Sequence, residues 1–258
     1  QDHIVHVAYQ TSGNIAVGDE EVVRYLSLMS NILEHFDPEN DNLKTRYEEL
    51  RHLLVHEKKS GDMDNPEILY LKGRIRREEA RTACHYNGVP LERVHFLDLP
   101  FYETGKIKKG DLTEKDVRIV MDLLQELKPH QIFVAGDLAD PHGTHRVCLN
   151  AALAAIHELK DEEWMKDCRI WMYRGAWAEW EIDHIEMAVP ISPEELRRKR
   201  NSILKHQSQM ESAPFLGNDD RLFWQRAEER NQATAKMYTN LGLASYEAIE
   251  AFVQYTIL

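Results

Sequence analysis

Phe133-Val-Ala-Gly-Asp-Leu-Ala-Asp-Pro-His-Gly-Thr-His-Arg146, followed by an apolar, alanine-rich run to Leu159, decides the fold. It reads as a buried strand from Gln131 to Ala135, a polar loop, and a helix that begins near Thr144. In open α/β sheets, ligands bind just beyond the carboxyl ends of the strands. The loop therefore puts Asp137, Asp140, His142 and His145 where chemistry is usually done. The two histidines are three residues apart at a helix start, so both can face one pocket. Imidazoles beside carboxylates suit zinc hydrolysis. The competing reading is a plain strand-to-helix connection whose histidines only cap the helix.

Working outward, the other segments alternate in the same way. Ile4 to Tyr9 is a strand that runs into the turn-rich loop Gln10-Thr11-Ser12-Gly13-Asn14, read as either a plain turn or a substrate-contacting loop. Asp19 is expected to cap a helix with Val22, Val23, Leu26, Met29 and Leu33 at helical spacing. A charged second helix spans about Leu43 to Glu57. Pro66 opens a long helix to about Tyr86. Arg76 and Glu79 share one face of it, either as part of a solvated charged run or as a substrate-reading pair. Val94 to Leu99 is a buried strand with Asp98 at its carboxyl end. Tyr102 to Gly110 reads as a surface loop, and Thr113-Glu-Lys-Asp116 as a capping box opening a helix to Leu127.

Near-continuous apolar strands alternating with helices predict an α/β fold, a Rossmann-like, mostly parallel sheet with helices on both faces. Further strands are expected at Ile170–Tyr173 and at 185–189. Trp177 and Trp180 could floor a sugar pocket or belong to the core. Ser192-Pro-Glu-Glu195 starts a helix expected to reach about Gln209, with His206 near its end. Helices are also expected over 219–240 and, at the end of the chain, over 246–255. The whole reads as one domain over 1–258, with a core of about 4–190 and a C-terminal helical extension of about 191–258.

Composition sets outer limits. The 258 residues are 43% hydrophobic and 29% charged, ordinary for a globular domain with a substantial core. A net charge of −12 argues against nucleic acid or an anionic membrane as partner. Cys84, Cys148 and Cys168 lie in apolar segments without CxxC spacing and read as reduced thiols, which points to a cytoplasmic setting. No run approaches a membrane span, and no signal peptide opens the chain. The chain begins at Gln1 almost directly in a strand, so an upstream segment is expected to be missing.

Tyr9-Gln-Thr-Ser-Gly13, Arg76-x-x-Glu79, a strand ending in Asp98, and Asp140-Pro-His142-Gly-Thr-His145-Arg146 together resemble the LmbE/PIG-L family of zinc-dependent N-acetylglucosaminyl deacetylases, over roughly residues 4 to 190. More narrowly, His6 to Val17 and Asp140 to Arg146 are similar to the deacetylase-type domain carboxyl-terminal to a glucosamine-6-phosphate deaminase (isomerase) domain in some bacterial proteins. The resemblance implies that His145 is a zinc ligand and His142 the catalytic histidine that stabilises the oxyanion. It implies that Arg76 reads substrate with Glu79 as its helix neighbour; Thr11, Asp98 and Asp140, at the carboxyl ends of strands, are expected as further substrate contacts. Gly143-Thr144 replaces the Pro-Asp of many relatives, so the surroundings of His145 are expected to differ.

A departure matters more. The family's first motif, His-Pro-Asp-Asp, supplies a zinc histidine, a zinc aspartate and the carboxylate base, and it occurs nowhere in this sequence. Because the family's second strand corresponds to Ile4 to Tyr9, the resemblance implies that this motif and its helix are to be expected upstream of Gln1. In an intact protein of this family, zinc lowers the pKa of its bound water toward ~7 and an aspartate takes the proton as that water attacks the acetamide. His142 would steady the oxyanion by ~3 kcal/mol. The expectation is zinc in the intact protein, none bound by this chain, and no catalysis by it alone. The expected partners are an amino-sugar phosphate and a deaminase-like domain of the same parent chain, with a homo-oligomer allowed for. The alternative is a non-catalytic module that binds sugar phosphate or mediates oligomerisation.

Overall fold

The computed structural model describes residues 3–106, 108–136, 143–175, 179–210 and 221–257. Among them the order is β1 (Val7–Tyr9), α1 (Asp19–Phe36), α2 (Asp41–His52), α3 (Pro66–Tyr86), β2 (Val94–Phe96), α4 (Glu114–Leu127), β3 (Gln131–Ala135), α5 (Thr144–Glu158), β4 (Arg169–Tyr173), β5 (Met187–Ile191), α6 (Pro193–Ile203), α7 (Phe223–Asn240) and β6 (Ala248–Tyr255). The fold is α/β, and no described helix is long and apolar enough to cross a membrane.

The strands form two sheets. One is the parallel pair β1–β2, with Val7 opposite Val94 and Tyr9 opposite Phe96. The other has the order β3-β4-β6-β5. There β3 and β4 are parallel, while β6 runs antiparallel to both β4 and β5. Parallelism is thus confined to the pairs joined through helices, as crossover geometry requires.

The segment 246–255 is a correction: it is not a terminal helix. Ala248–Tyr255 is a strand hydrogen-bonded on both sides, with Val253 opposite Met172 and Ala251 opposite Ala188. Ala-Ile-Glu-Ala-Phe-Val-Gln-Tyr satisfies either period over so short a span. Filling the slot between β4 and β5 buries Ala248, Ile249 and Ala251 almost completely, which a surface helix would not do.

Two cores form. The larger packs α4 and α5 on β3 and β4 through Val120, Leu124, Val134, Leu149, Ile156 and Ile170, with Ala151, Ala152 and Ala155 allowing close approach. Phe101 and Tyr102 are buried in it, which corrects the surface reading of the segment starting at Tyr102. The smaller core joins α1, α2 and α3 through Val22, Leu26, Leu50, Leu54, Ile68 and Ile75. Asp19 is the first residue of α1 and Gly18 its cap. The Asp19 carboxylate instead bridges Lys58 (2.8 Å) and Lys72 (2.7 Å), which also share Asp64.

The Thr113–Asp116 capping box is present. Asp116 is fully buried, and it accepts from the backbone N–H groups of Phe101 and Thr113 at 2.9 Å each. Asp116→Ala leaves two buried donors unpaired. It is expected to lower unfolding free energy by about 2–4 kcal/mol in urea titrations, while Asp116→Asn loses less. A change under about 0.5 kcal/mol would show that these bonds contribute nothing net.

Gly136, at the end of β3, donates to the Tyr173 carbonyl at 2.7 Å. A Cβ there would lie 2.9 Å from the Met172 Cβ and 2.9 Å from the Trp180 ring. Trp180 is itself held under the Arg174 guanidinium, 3.9 Å from the ring centre. It is half-buried and packs between Gly136 and Arg174; Trp177 lies outside the described residues. Gly136→Ala is expected to lower the thermal midpoint, at a cost of about 1–3 kcal/mol from overpacking. An unchanged midpoint would mean Trp180 yields freely.

Candidate functional site

β1 ends where its pairing with the chain after β2 continues through Leu97 N to Tyr9 O and Leu99 N to Gln10 O, both 2.9 Å. The chain then turns across the carboxyl end of the sheet through Ser12, Gly13 and Asn14. Gly13 has φ 67, and a side chain there would meet Arg76 Nε at 3.0 Å, so glycine answers both demands. Glu103 holds the turn from below: it accepts from Ser12 N and Ser12 Oγ at 3.0 Å each and from Asn14 Nδ2 at 3.4 Å.

Arg76 and Glu79, one helical turn apart on α3, meet: Arg76 Nη1 donates to Glu79 Oε2 at 2.9 Å. Glu79 is buried, and it accepts a further pair of bonds from Ser208, the backbone N–H at 2.6 Å and the hydroxyl at 2.8 Å. Ser208 arrives because α6 stops at Ile203, short of the expected Gln209. His206 leaves helical geometry with ψ 62, which sends the following residues back toward α3. Gln209 Nε2 then donates to the Ala16 carbonyl at 2.9 Å, joining this turn to the loop after β1.

At and beside the guanidinium, three buried polar atoms have no hydrogen-bond partner: Asn14 Oδ1, Arg76 Nε and His206 Nδ1. Leaving such an atom dry costs about 1–3 kcal/mol, so these three together mark a place where a ligand or water completes the bonding. Burial pushes the His206 imidazole down to about 4; Arg76 adds to this and Glu79 opposes it. Burial likewise pushes the Tyr102 phenol up to about 12, with Glu103 reinforcing the rise and Arg76 opposing it.

The other expected site residues are distributed as follows. Thr11 is half-buried in the loop after β1. Asp98 sits at φ 46 and is ion-paired with Arg77, with its Oδ1 buried and unpartnered. His145 is exposed on the first turn of α5. One turn on, the Cys148 thiol lies close enough to Tyr102 and Tyr173 to bear on both. Asp140 and His142, with Asp137, lie outside the described residues. Among the described residues, no three His, Cys, Asp or Glu side chains converge to hold a metal ion. A tetrahedral zinc site with three protein ligands is therefore not supplied by His145 and its described neighbours. Glu103 and Ser208 have no sequence signal beyond being polar residues in loops, since the partners they bond lie 89 to 132 positions away, and His206 reads in sequence only as a residue near a helix end.

The comparisons agree with this architecture. The family described as PIG-L, GlcNAc-PI de-N-acetylase, matches residues 1–156. A glucosamine-6-phosphate deaminase-like protein of Bacteroides thetaiotaomicron is 69% identical over 258 residues, covering 99% of this chain and 39% of that protein. The chain thus spans about two-fifths of the length of that curated relative. GalB, the 4-carboxy-2-hydroxymuconate hydratase of Pseudomonas putida, superposes with a TM-score of 0.53 at 12% identity, over 98% of this chain and 95% of its own, a likeness of fold. The N,N'-diacetylchitobiose deacetylase of Pyrococcus horikoshii gives a TM-score of 0.49 at 16% identity, over 76% of this chain and 68% of its own. With the family pattern covering well over half of its length, this chain belongs to the PIG-L family.

Proposed function

We propose that this chain is the ligand-reading part of an N-deacetylase-type domain for an N-acetylglucosamine derivative, within a longer protein that also handles glucosamine 6-phosphate. The observation that carries the reading is Arg76: its guanidinium is fixed by buried Glu79, while its Nε stays unpaired against the Gly13 turn. A cation so held takes an acceptor oxygen of a ligand, a carbonyl or a phosphate. The unpaired Asn14 oxygen takes a ligand hydroxyl or amide donor. Family membership and the name of the Bacteroides relative support an amino sugar as that ligand.

The chemistry of hydrolysis is a separate matter. Zinc in this family would supply an activated water; His145 would be one of its ligands and His142, outside the described residues, would steady the oxyanion, while the described residues alone make up no ligand set. On this reading the 258-residue chain is catalytically silent, and the remaining ligands and base come from elsewhere in the parent protein. A second reading, a non-catalytic sugar-phosphate or oligomerisation module, draws on Leu28, Ile32 and Phe36, exposed at helical spacing along α1.

Both readings are tested together. A parent protein of the relative's length and the 258-residue chain are each assayed for zinc by elemental analysis and for acetate released from N-acetylglucosamine 6-phosphate. The expected result is stoichiometric zinc and acetate release from the former and neither from the latter. Acetate release by the chain alone overturns the division of labour. Absence of both from the parent protein favours the non-catalytic module.

A further inference from the structure

The His206–Gln209 turn lies outside the residues matched to the family, yet the fold builds it into the Arg76 site. Two bonds from Ser208 to Glu79 and one from Gln209 to Ala16 fix its path. That path leaves His206 half-buried beside Arg76 and Glu79, with its Nδ1 atom buried and lacking a partner. We propose that His206 is a ligand-reading residue of this site, exchanging a hydrogen bond through Nδ1 with a hydroxyl of a polyhydroxylated ligand while Arg76 Nε engages an acceptor oxygen of the same molecule.

The inference rests on the amino-sugar reading above and extends it to a part of the chain that nothing in the family match assigns. The charged groups facing the ring are Arg76 and Glu79 from α3, with Lys205 preceding it on its own segment. Burial first, then the Arg76 charge, hold the imidazole neutral through the physiological range. A neutral ring can accept a hydroxyl proton or donate its own N–H without repelling the guanidinium, and it can do so because Glu79 carries the load of orienting Arg76.

The test uses the full-length protein, titrated calorimetrically at neutral pH with N-acetylglucosamine 6-phosphate and with glucosamine 6-phosphate. His206→Phe keeps a ring of similar size without polar atoms; His206→Asn restores a polar atom near the Nδ1 position. The expected result is a loss of about tenfold or more in affinity for His206→Phe, the effect of one missing hydrogen bond to a buried partner, with partial recovery in His206→Asn. Ligand should also shift the His206 ring resonances of the wild type in NMR spectra, a readout that holds even if a variant folds poorly. Wild-type affinity in His206→Phe with an unmoved ring resonance overturns this inference and leaves the amino-sugar reading standing. Failure of the wild type to bind either sugar overturns both.

Discussion

Glu250→Ala is expected to lower unfolding free energy by about 3 kcal/mol, because it takes the carboxylate from half-buried Lys199 and leaves buried Arg230 with Glu179 alone, 3.5 Å away. Glu250 sits in the middle of β6 and ion-pairs Lys199 of α6 and Arg230 of α7, the latter at 2.6 Å. Asn231, fully buried, closes the group: it accepts from Lys199 at 2.7 Å and donates to the Ile249 carbonyl at 2.8 Å. Arg230 also donates to the Arg174 carbonyl at 2.8 Å, so the network reaches the end of β4. Urea unfolding checks the loss, with Glu250→Gln expected to cost less because one acceptor oxygen remains.

The network also has a pH signature. Burial alone would raise the Glu250 pKa, but Lys199 and Arg230 together hold it below the ordinary carboxylate value. A carboxyl depressed in the folded state adds stability that is fully present above its unfolded pKa, about 4.3, and is lost as pH falls through the lower folded value. The wild type should therefore lose more stability than Glu250→Gln on acidification below about pH 4.5. Parallel curves for the two proteins would sink the assignment.

Glu79→Ala is the other large effect. It removes the acceptor for Arg76 and for both Ser208 donors at once, inside the fold. A loss of about 3–5 kcal/mol is expected for breaking a buried pair from one side. The His206–Gln209 turn should also become the first site of limited proteolysis, since its anchor is gone. Glu79→Gln can keep part of the Ser208 bonding while weakening the hold on Arg76, so it should retain more stability than ligand affinity. If Glu79→Ala melts as the wild type does and the turn resists protease, Glu79 does not tie α3 to the C-terminal segment.

Local rules determined much of this protein. The capping boxes at Thr113–Asp116 and Ser192–Glu195 form where the residues call for them, and Asn65 with Pro66 starts α3. Arg76 and Glu79 meet because three positions along a helix are neighbours whatever surrounds it. Apolar runs alternating with helices were enough for the α/β class. Tertiary structure decided the rest, wherever the deciding partner lies far along the chain. The segment 248–255 is a strand because the edges of β4 and β5 accept it, not because its own pattern excludes a helix. Glu103 and Ser208 join the candidate site through bonds spanning about a hundred residues, and Ser208 brings His206 with it; no spacing rule reaches that far. Periodicity records which face of an element is apolar; which distant loop comes to satisfy a buried carboxylate is settled only when the elements pack.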